Sequence, residues 1–122
     1  MYARLYVLPG SNSSMVGRRL LEHKGIEYER VDLPPAVYRL LVRALRFRHR
    51  PALRLDGRRV QGKMTIAREL DALRSERSLY PADPAARRAV EEAEGWAEEV
   101  LQPIPRRLAP WALRRKRRYR AW

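Results

Sequence analysis

Residues 51–73 read PALRLDGRRVQGKMTIARELDAL. Ala52 to Leu55 and Arg58 to Gln61 are short extended runs separated by Asp56-Gly57, the dipeptide that most readily supplies positive φ at both centres of a two-residue hairpin turn. Ile66, Leu70 and Leu73 then recur at i, i+4 and i+7, the period of a helix with one apolar stripe. The stretch predicts an antiparallel hairpin leading into a helix.

Upstream, residues 3 to 8, Ala-Arg-Leu-Tyr-Val-Leu, are apolar on both alternating faces, the mark of a strand covered on two sides, and Pro9-Gly10 ends it. From Ser14 the spacing turns helical, with Val16, Leu20 and Lys24 on one stripe, Gly17 and Leu21 beside it, and Gly25 as a stop. A second strand is expected from Glu27 to Leu33, closed by Pro34-Pro35. Val37, Tyr38, Leu41, Ala44 and Leu45 mark an amphipathic helix, with Arg39, Arg43 and Arg46 on its opposite face. A parallel βαβ unit feeding an antiparallel ββα unit predicts an α/β domain. Its arrangement is a thioredoxin-like βαβ-α-ββα four-stranded mixed sheet with helices on both faces, followed by one or two C-terminal helices.

The expected domain spans residues 1–78, with a linker, helix and basic tail over 79–122. Asp83-Pro84 is a strong helix start, pairing an N-cap acceptor with a residue preset for the first turn, and this helix is expected to reach about Leu101. Pro103, Pro105 and Pro110 are expected to break regularity before a tail from Trp111 to Trp122. The tail is either helical or disordered.

A chain of 122 residues buries roughly 60 to 70% of its unfolded surface, enough for a core without staples. Cysteine is absent, which excludes disulfides, thiolate zinc sites and any protein thiol nucleophile. Met1 leads straight into strand-like residues with no charged and apolar leader, and no run approaches the ~20 apolar residues of a spanning helix. A soluble cytoplasmic protein is the expectation. The net charge is +13, but residues 106–122 hold eight of the 27 basic residues and none of the 14 acidic ones. The body is only moderately basic, and its preference for arginine over lysine is more simply explained by a GC-rich coding sequence than by selection for phosphate contacts.

Pro9-Gly10-Ser11-Asn12-Ser13-Ser14 joins the first strand to the first helix. Hydroxyls and free N–H groups converge there at a positive helix end, a setting that favours an anion and pushes a bound thiol, with reference pKa ~8.5, toward thiolate. The same serines also suit plain capping and turns. His23 and His49 lack carboxylate partners at metal-ligand spacing, so no metal is expected. Tyr2, Tyr6 and Tyr28 read as core or rim aromatics.

Several blocks together resemble the glutathione S-transferase family. Ser11-Asn12-Ser13-Ser14 takes the place of a glutaredoxin Cys-x-x-Cys, followed by Gly17, Leu20 and Leu21; Glu22 to Ile26 is similar to the family's helix-end segment. Pro51-Ala52-Leu53, Asp56-Gly57 and Gln61 to Asp71 resemble its cis-proline, hairpin and third-helix block. The resemblance covers roughly residues 3 to 74, and Leu79 to Trp96 looks like the linker and opening helix of the family's all-helical second domain.

The resemblance implies that glutathione, as cosubstrate, lies along the strand ends. Ser11 is the catalytic candidate that holds the thiolate, and Ser13 and Ser14 are nearby substitutes. It further implies that the backbone of Arg50, before a cis Pro51, binds the cysteinyl part, and that Gln61, Gly62 and Lys63 meet the γ-glutamyl end. The family usually has an acidic residue and a serine where this chain has Gly62-Lys63. The implied activity is conjugation of the glutathione thiol to an electrophile, in a pocket normally completed by a helical second domain of which about forty residues follow Leu79. Three outcomes stay open at this point: a short relative, a homodimer that borrows helices, or a non-catalytic interaction protein. In the last, the tail Arg114 to Arg120, flanked by Trp111 and Trp122, contacts nucleic acid, anionic lipid or a protein, while the simpler reading of the same residues is a solvated basic end.

Overall fold

A computed structural model describes residues 1–119. The last three residues, including Arg120 and Trp122 of the basic tail, lie outside the described part. Contacts divide the chain into two compact units, Met1–Leu79 and Tyr80 onward.

The first unit contains β1 (Ala3–Val7), α1 (Asn12–His23), β2 (Glu29–Asp32), α2 (Tyr38–Ala44), β3 (Ala52–Leu55), β4 (Arg58–Gln61) and α3 (Lys63–Leu73). The strands form one sheet in the order β2-β1-β3-β4. β1 pairs parallel to β2, with Tyr6 opposite Val31, and antiparallel to β3, with Leu5 opposite Leu53; β3 and β4 are antiparallel with Leu53 opposite Val60. Asp56 and Gly57 have φ of 46° and 81°, the double positive φ that an Asp-Gly hairpin turn supplies.

Strand alternation sorts the core into two layers. Ala3, Leu5 and Val7 of β1 join Leu53, Leu55 and Val60 of the hairpin, Leu21 of α1, and Ile66 and Leu70 of α3. On the other face, Tyr6, Leu33 and Ala52 meet Tyr38, Val42 and Phe47 from α2 and the segment after it. The buried stripe of α1 is Ser14, Gly17 and Leu21, continued by Lys24, one position round from the stripe that Val16 and Leu20 suggest. The buried pair on α2 is Tyr38 and Val42, while Val37 and Ala44 are exposed. Arg46 lies beyond the helix with φ 62°.

The second unit contains α4 (Pro84–Trp96), a π-helical turn (Ala97–Leu101) and α5 (Pro103–Tyr119). Asp83 caps α4, its carboxylate accepting from the Ala86 N–H at 2.9 Å. The expected break at the prolines does not occur, because α5 runs through Pro110. Pro103 and Pro105 fall in the first turn, where N–H groups have no intrahelical acceptor in any case; Pro110 removes one interior bond on an exposed helix, where water satisfies the freed carbonyl. Among the described residues no helix is long and apolar enough to cross a membrane.

Candidate functional site

The site is built around Pro51. The Arg50–Pro51 peptide is cis, and three elements converge on it. A Cβ placed on Gly17 of α1 would lie 2.9 Å from the Pro51 Cβ and 3.2 Å from Leu5 Cδ1. Only glycine lets the helix come this close. The Gly62 N–H donates to the Pro51 carbonyl at 3.0 Å, tying the start of α3 to the same residue. Gly62 has φ 85°, a conformation that glycine adopts without a steric penalty. It occupies the N-cap of α3 without a side-chain cap, and Lys63 is the first residue of the helix.

Gln61 works on the adjacent loop. Its side-chain carbonyl accepts from the Arg48 N–H at 2.7 Å and the His49 N–H at 3.0 Å. Two backbone donors just ahead of Pro51 are thus fixed by one residue of β4. The Arg50 side chain does not share its backbone's direction: its guanidinium lies 5.6 Å from the centre of the Tyr38 ring.

Ser11 caps α1 with an extended backbone, φ −80° and ψ 125°, its oxygen accepting from the Ser14 N–H at a long 3.5 Å. Because the Ser11 oxygen is the acceptor, this contact does not use the hydroxyl proton. Ser11 lines a depression of about 230 Å³ together with Gly10, Ser14, Arg18 and Arg30. The helix N-terminus supplies the positive field here, while Arg18 and Arg30 are each paired with a carboxylate, Glu22 at 3.3 Å and Asp32 at 2.6 Å. Ser14 is buried, and its oxygen accepts from the Leu8 N–H at 3.1 Å, so it pins the strand–helix junction from inside. Ser13 is half-buried in the first turn, outside the lining of the depression. At 1.5 Å per residue, Ser11 lies about 9 Å along the helix axis from Gly17.

A larger open depression of about 770 Å³ lies on the α2 side, lined by Arg39, Arg43, Arg48 and Arg50 around Tyr38 and Phe47, with Leu8 common to both depressions. The helical period sends Arg39 and Arg43 to the outer face of α2, and periodicity alone does not reveal that Arg48 and Arg50 line the same depression. A signal was present in composition: from Leu33 to Leu55 there are six arginines and no acidic residue. Burial raises the Tyr38 pKa, opposed in part by Arg50, so the phenol is protonated at neutral pH. Among the described residues, no group of three or more His, Asp or Glu could hold a metal ion.

Residues 5–78 match the family model for the glutathione S-transferase N-terminal domain. A search of curated proteins gives no match. Solved structures resemble the chain over most of its length. The Tau class glutathione S-transferase of mango, Mangifera indica, is 21% identical with a TM-score of 0.76, covering 88% of this chain and 50% of its own. A glutathione transferase homolog from Burkholderia gl BGR1, solved with bound glutathione, is 22% identical with a TM-score of 0.72, covering 87% and 58%. The maleylacetoacetate isomerase of Anaeromyxobacter dehalogenans 2CP-1, solved with glutathione in its active site, is 27% identical with a TM-score of 0.70, covering 94% and 57%. The chain spans 50–58% of the length of these structures. With a family match over more than half its residues and a sheet order and helix placement that agree with it, the chain belongs to the glutathione S-transferase N-terminal domain family.

Proposed function

We propose that residues 1–78 form a glutathione-binding domain and that 79–122 correspond to the linker and opening helices of a helical second domain. Glutathione lies between the α1 N-terminus and the Pro51 loop. The Arg50 backbone meets its cysteinyl part, and Gln61, Gly62 and Lys63 border its γ-glutamyl end. Ser11 donates a hydrogen bond to the sulfur, and the helix end favours the thiolate. The thiol proton leaves to solvent, the sulfur forms a bond to the electrophilic carbon, and the leaving group departs with its electron pair.

The observation that carries the reading is the close approach of α1 to Pro51 through Gly17, with Ser11 at the open end of that same helix. The glutathione bound in similar structures supports it. Calorimetry with glutathione and conjugation of a chromogenic aryl halide test it in the wild type and in Ser11→Ala. Saturable binding is expected in both, with conjugation reduced about tenfold or more in the variant, the scale set by loss of a hydrogen bond to a charged sulfur. No saturable binding rejects the reading; binding without turnover in the wild type leaves a glutathione-binding module.

A second reading, a non-catalytic interaction protein, is favoured by α5. Trp111 is exposed, and the Arg115 guanidinium lies 4.7 Å from its ring centre, a pairing suited to phosphate and base contacts. Binding to a short single-stranded nucleic acid should then weaken steeply with salt and be lost when residues 111–122 are removed. Salt-insensitive binding, or binding unchanged by that removal, rejects it.

A further inference from the structure

We propose that the helices after Tyr80 form a docking face for a second copy of this chain, paired antiparallel so that the acidic stretch of each copy meets the basic stretch of the other. Gln102 keeps helical dihedrals, φ −64° and ψ −34°, so α4, the π-helical turn and α5 follow one another without a loop. Leu101, Ile104, Leu108 and Trp111 recur at alternating three- and four-residue steps, the spacing of a helix–helix seam. Each is 49–56% exposed, and Trp96 and Val100 just before them are 57% and 50% exposed. A run of large apolar side chains left open in this way marks an interface.

Charge identifies the occupant. Residues 89–105 hold five glutamates, Glu91, Glu92, Glu94, Glu98 and Glu99, and no basic residue; residues 106–119 hold seven basic residues and no acidic one. The apolar run crosses both blocks. In the single chain the blocks lie end to end, and the Arg106–Glu98 pair at 3.7 Å joins them at their junction. A parallel partner sets like charges side by side. An antiparallel one, with a two-fold axis between Gln102 and Pro103, sets Glu98 and Glu99 beside Arg107 and Arg106 of the second copy and Leu101 beside its Ile104. Nucleic acid or an anionic lipid surface matches α5 alone and is repelled by the glutamates, so a second copy is the occupant that satisfies both blocks. The face is modest in size, and dissociation in the micromolar range is expected, so that dilution returns the single chain with α5 open.

None of these residues has a role in the glutathione reading, so the interface stands or falls separately from it. Sedimentation equilibrium of the full chain from about 5 to about 500 µM is expected to show a monomer–dimer equilibrium. Leu101→Asp with Leu108→Asp weakens association about tenfold or more, by placing charges in the seam. Both residues are exposed in the single chain, so its thermal unfolding is expected to be unchanged, which shows that the variant is folded. The decisive variants reverse charge: Glu98→Arg with Glu99→Arg in one chain, and Arg106→Glu with Arg107→Glu in another. Each alone self-associates at least about tenfold more weakly, and an equimolar mixture associates within about threefold of the wild type. The Arg106–Glu98 pair within each chain stays broken in that mixture, so only contacts between copies account for the recovery. A wild type that is monomeric throughout overturns the interface, whether or not it binds single-stranded nucleic acid or phosphatidylserine vesicles. Reversed chains that dimerise as tightly as the wild type also overturn it, because the dimer then uses another face, as does a mixture no tighter than either chain alone.

Discussion

Gly17 carries two opposing consequences of one missing methyl group. Replacing a helical glycine with alanine ordinarily stabilises a helix by about 1 kcal/mol. Here the added Cβ meets Pro51 Cβ at 2.9 Å, a ring atom that cannot swing away, and Leu5 Cδ1 at 3.2 Å. Overpacking costs about 1–3 kcal/mol and outweighs the propensity gain. Gly17→Ala is therefore expected to lose about 1 kcal/mol, read as a lower urea midpoint at unchanged slope. A rise in the midpoint would show that α1 shifts freely off the proline. The Lys24–Asp71 pair is a second residue-scale lever. The Lys24 side chain is fully buried and Asp71 is 16% exposed. The amine also donates to the Arg74 carbonyl at 2.7 Å, and Asp71 accepts from the Leu79 N–H at 2.8 Å. Desolvation pushes the Asp71 pKa up, but hydrogen bonds from Lys24, Leu79 and Ser78 together outweigh it and the net shift is downward. A lowered native pKa means that this stability is complete above the unfolded value near 3.8 and is lost as pH falls through the native value. Asp71→Asn strands the buried ammonium and is expected to cost about 2–3 kcal/mol, near the lower end for a broken buried pair, because backbone acceptors remain. It should also flatten the acid limb of a pH–stability curve. Lys24→Met in the same background is expected to recover part of the loss.

At the scale of elements, the hairpin does more than pair strands. Gln61 closes β4 and reaches back to two amides of the loop before Pro51. Gln61→Ala removes both acceptors at a partly exposed place, where water replaces them in part, so a loss of about 1 kcal/mol is expected. The sharper readout is hydrogen exchange at Arg48 and His49, which should accelerate while β1 is unchanged. The hairpin, the βαβ unit and the Asp83 cap were legible because each rests on local chemistry: an Asp-Gly turn, a two-sided strand and a proline after a capping acid. The α1 stripe was less legible, since Lys24 is buried by a partner 47 residues away and no short window carries that information. The reach of Gln61 across 12 and 13 residues escaped for the same reason. Pro110 misled because helix propensity assumes an interior that needs its N–H, and on an exposed helix one lost bond is tolerable. That Arg48 and Arg50 share a depression with Arg39 and Arg43 was hidden by a convention of periodic reading, which assigns the outer face of a helix to solvent and ignores what the next loop brings alongside it.

At the scale of the molecule, stability is unevenly distributed between the two units. The first is built on two buried clusters flanking a sheet. From Tyr80 onward only Tyr80 and Gln102 are buried among the described residues, while Ile104, Leu108, Trp111 and Leu113 are exposed. A helix that buries little draws its stability from propensity alone, and short or interrupted helices are marginal on that basis. Charge weakens α5 further. From Pro103 to Tyr119 the sequence has seven basic residues and no acidic one, so their mutual repulsion opposes a compact helix and is relieved by salt. Native-state hydrogen exchange should therefore show two tiers. Amides of β1 and β3 are expected to open only with global unfolding, whereas those of α5 exchange at close to unfolded rates. Raising salt from about 0.05 to 0.5 M shortens the screening length from about 13 Å to about 4 Å, and α5 protection should rise several-fold with that of β1 nearly constant. Equal protection in the two units would mean that α5 is held by cooperative packing. A salt-independent α5 would mean that charge repulsion does not limit it, leaving Pro110 and the absence of buried contacts as the cause, which Pro110→Ala would test by restoring protection at low salt.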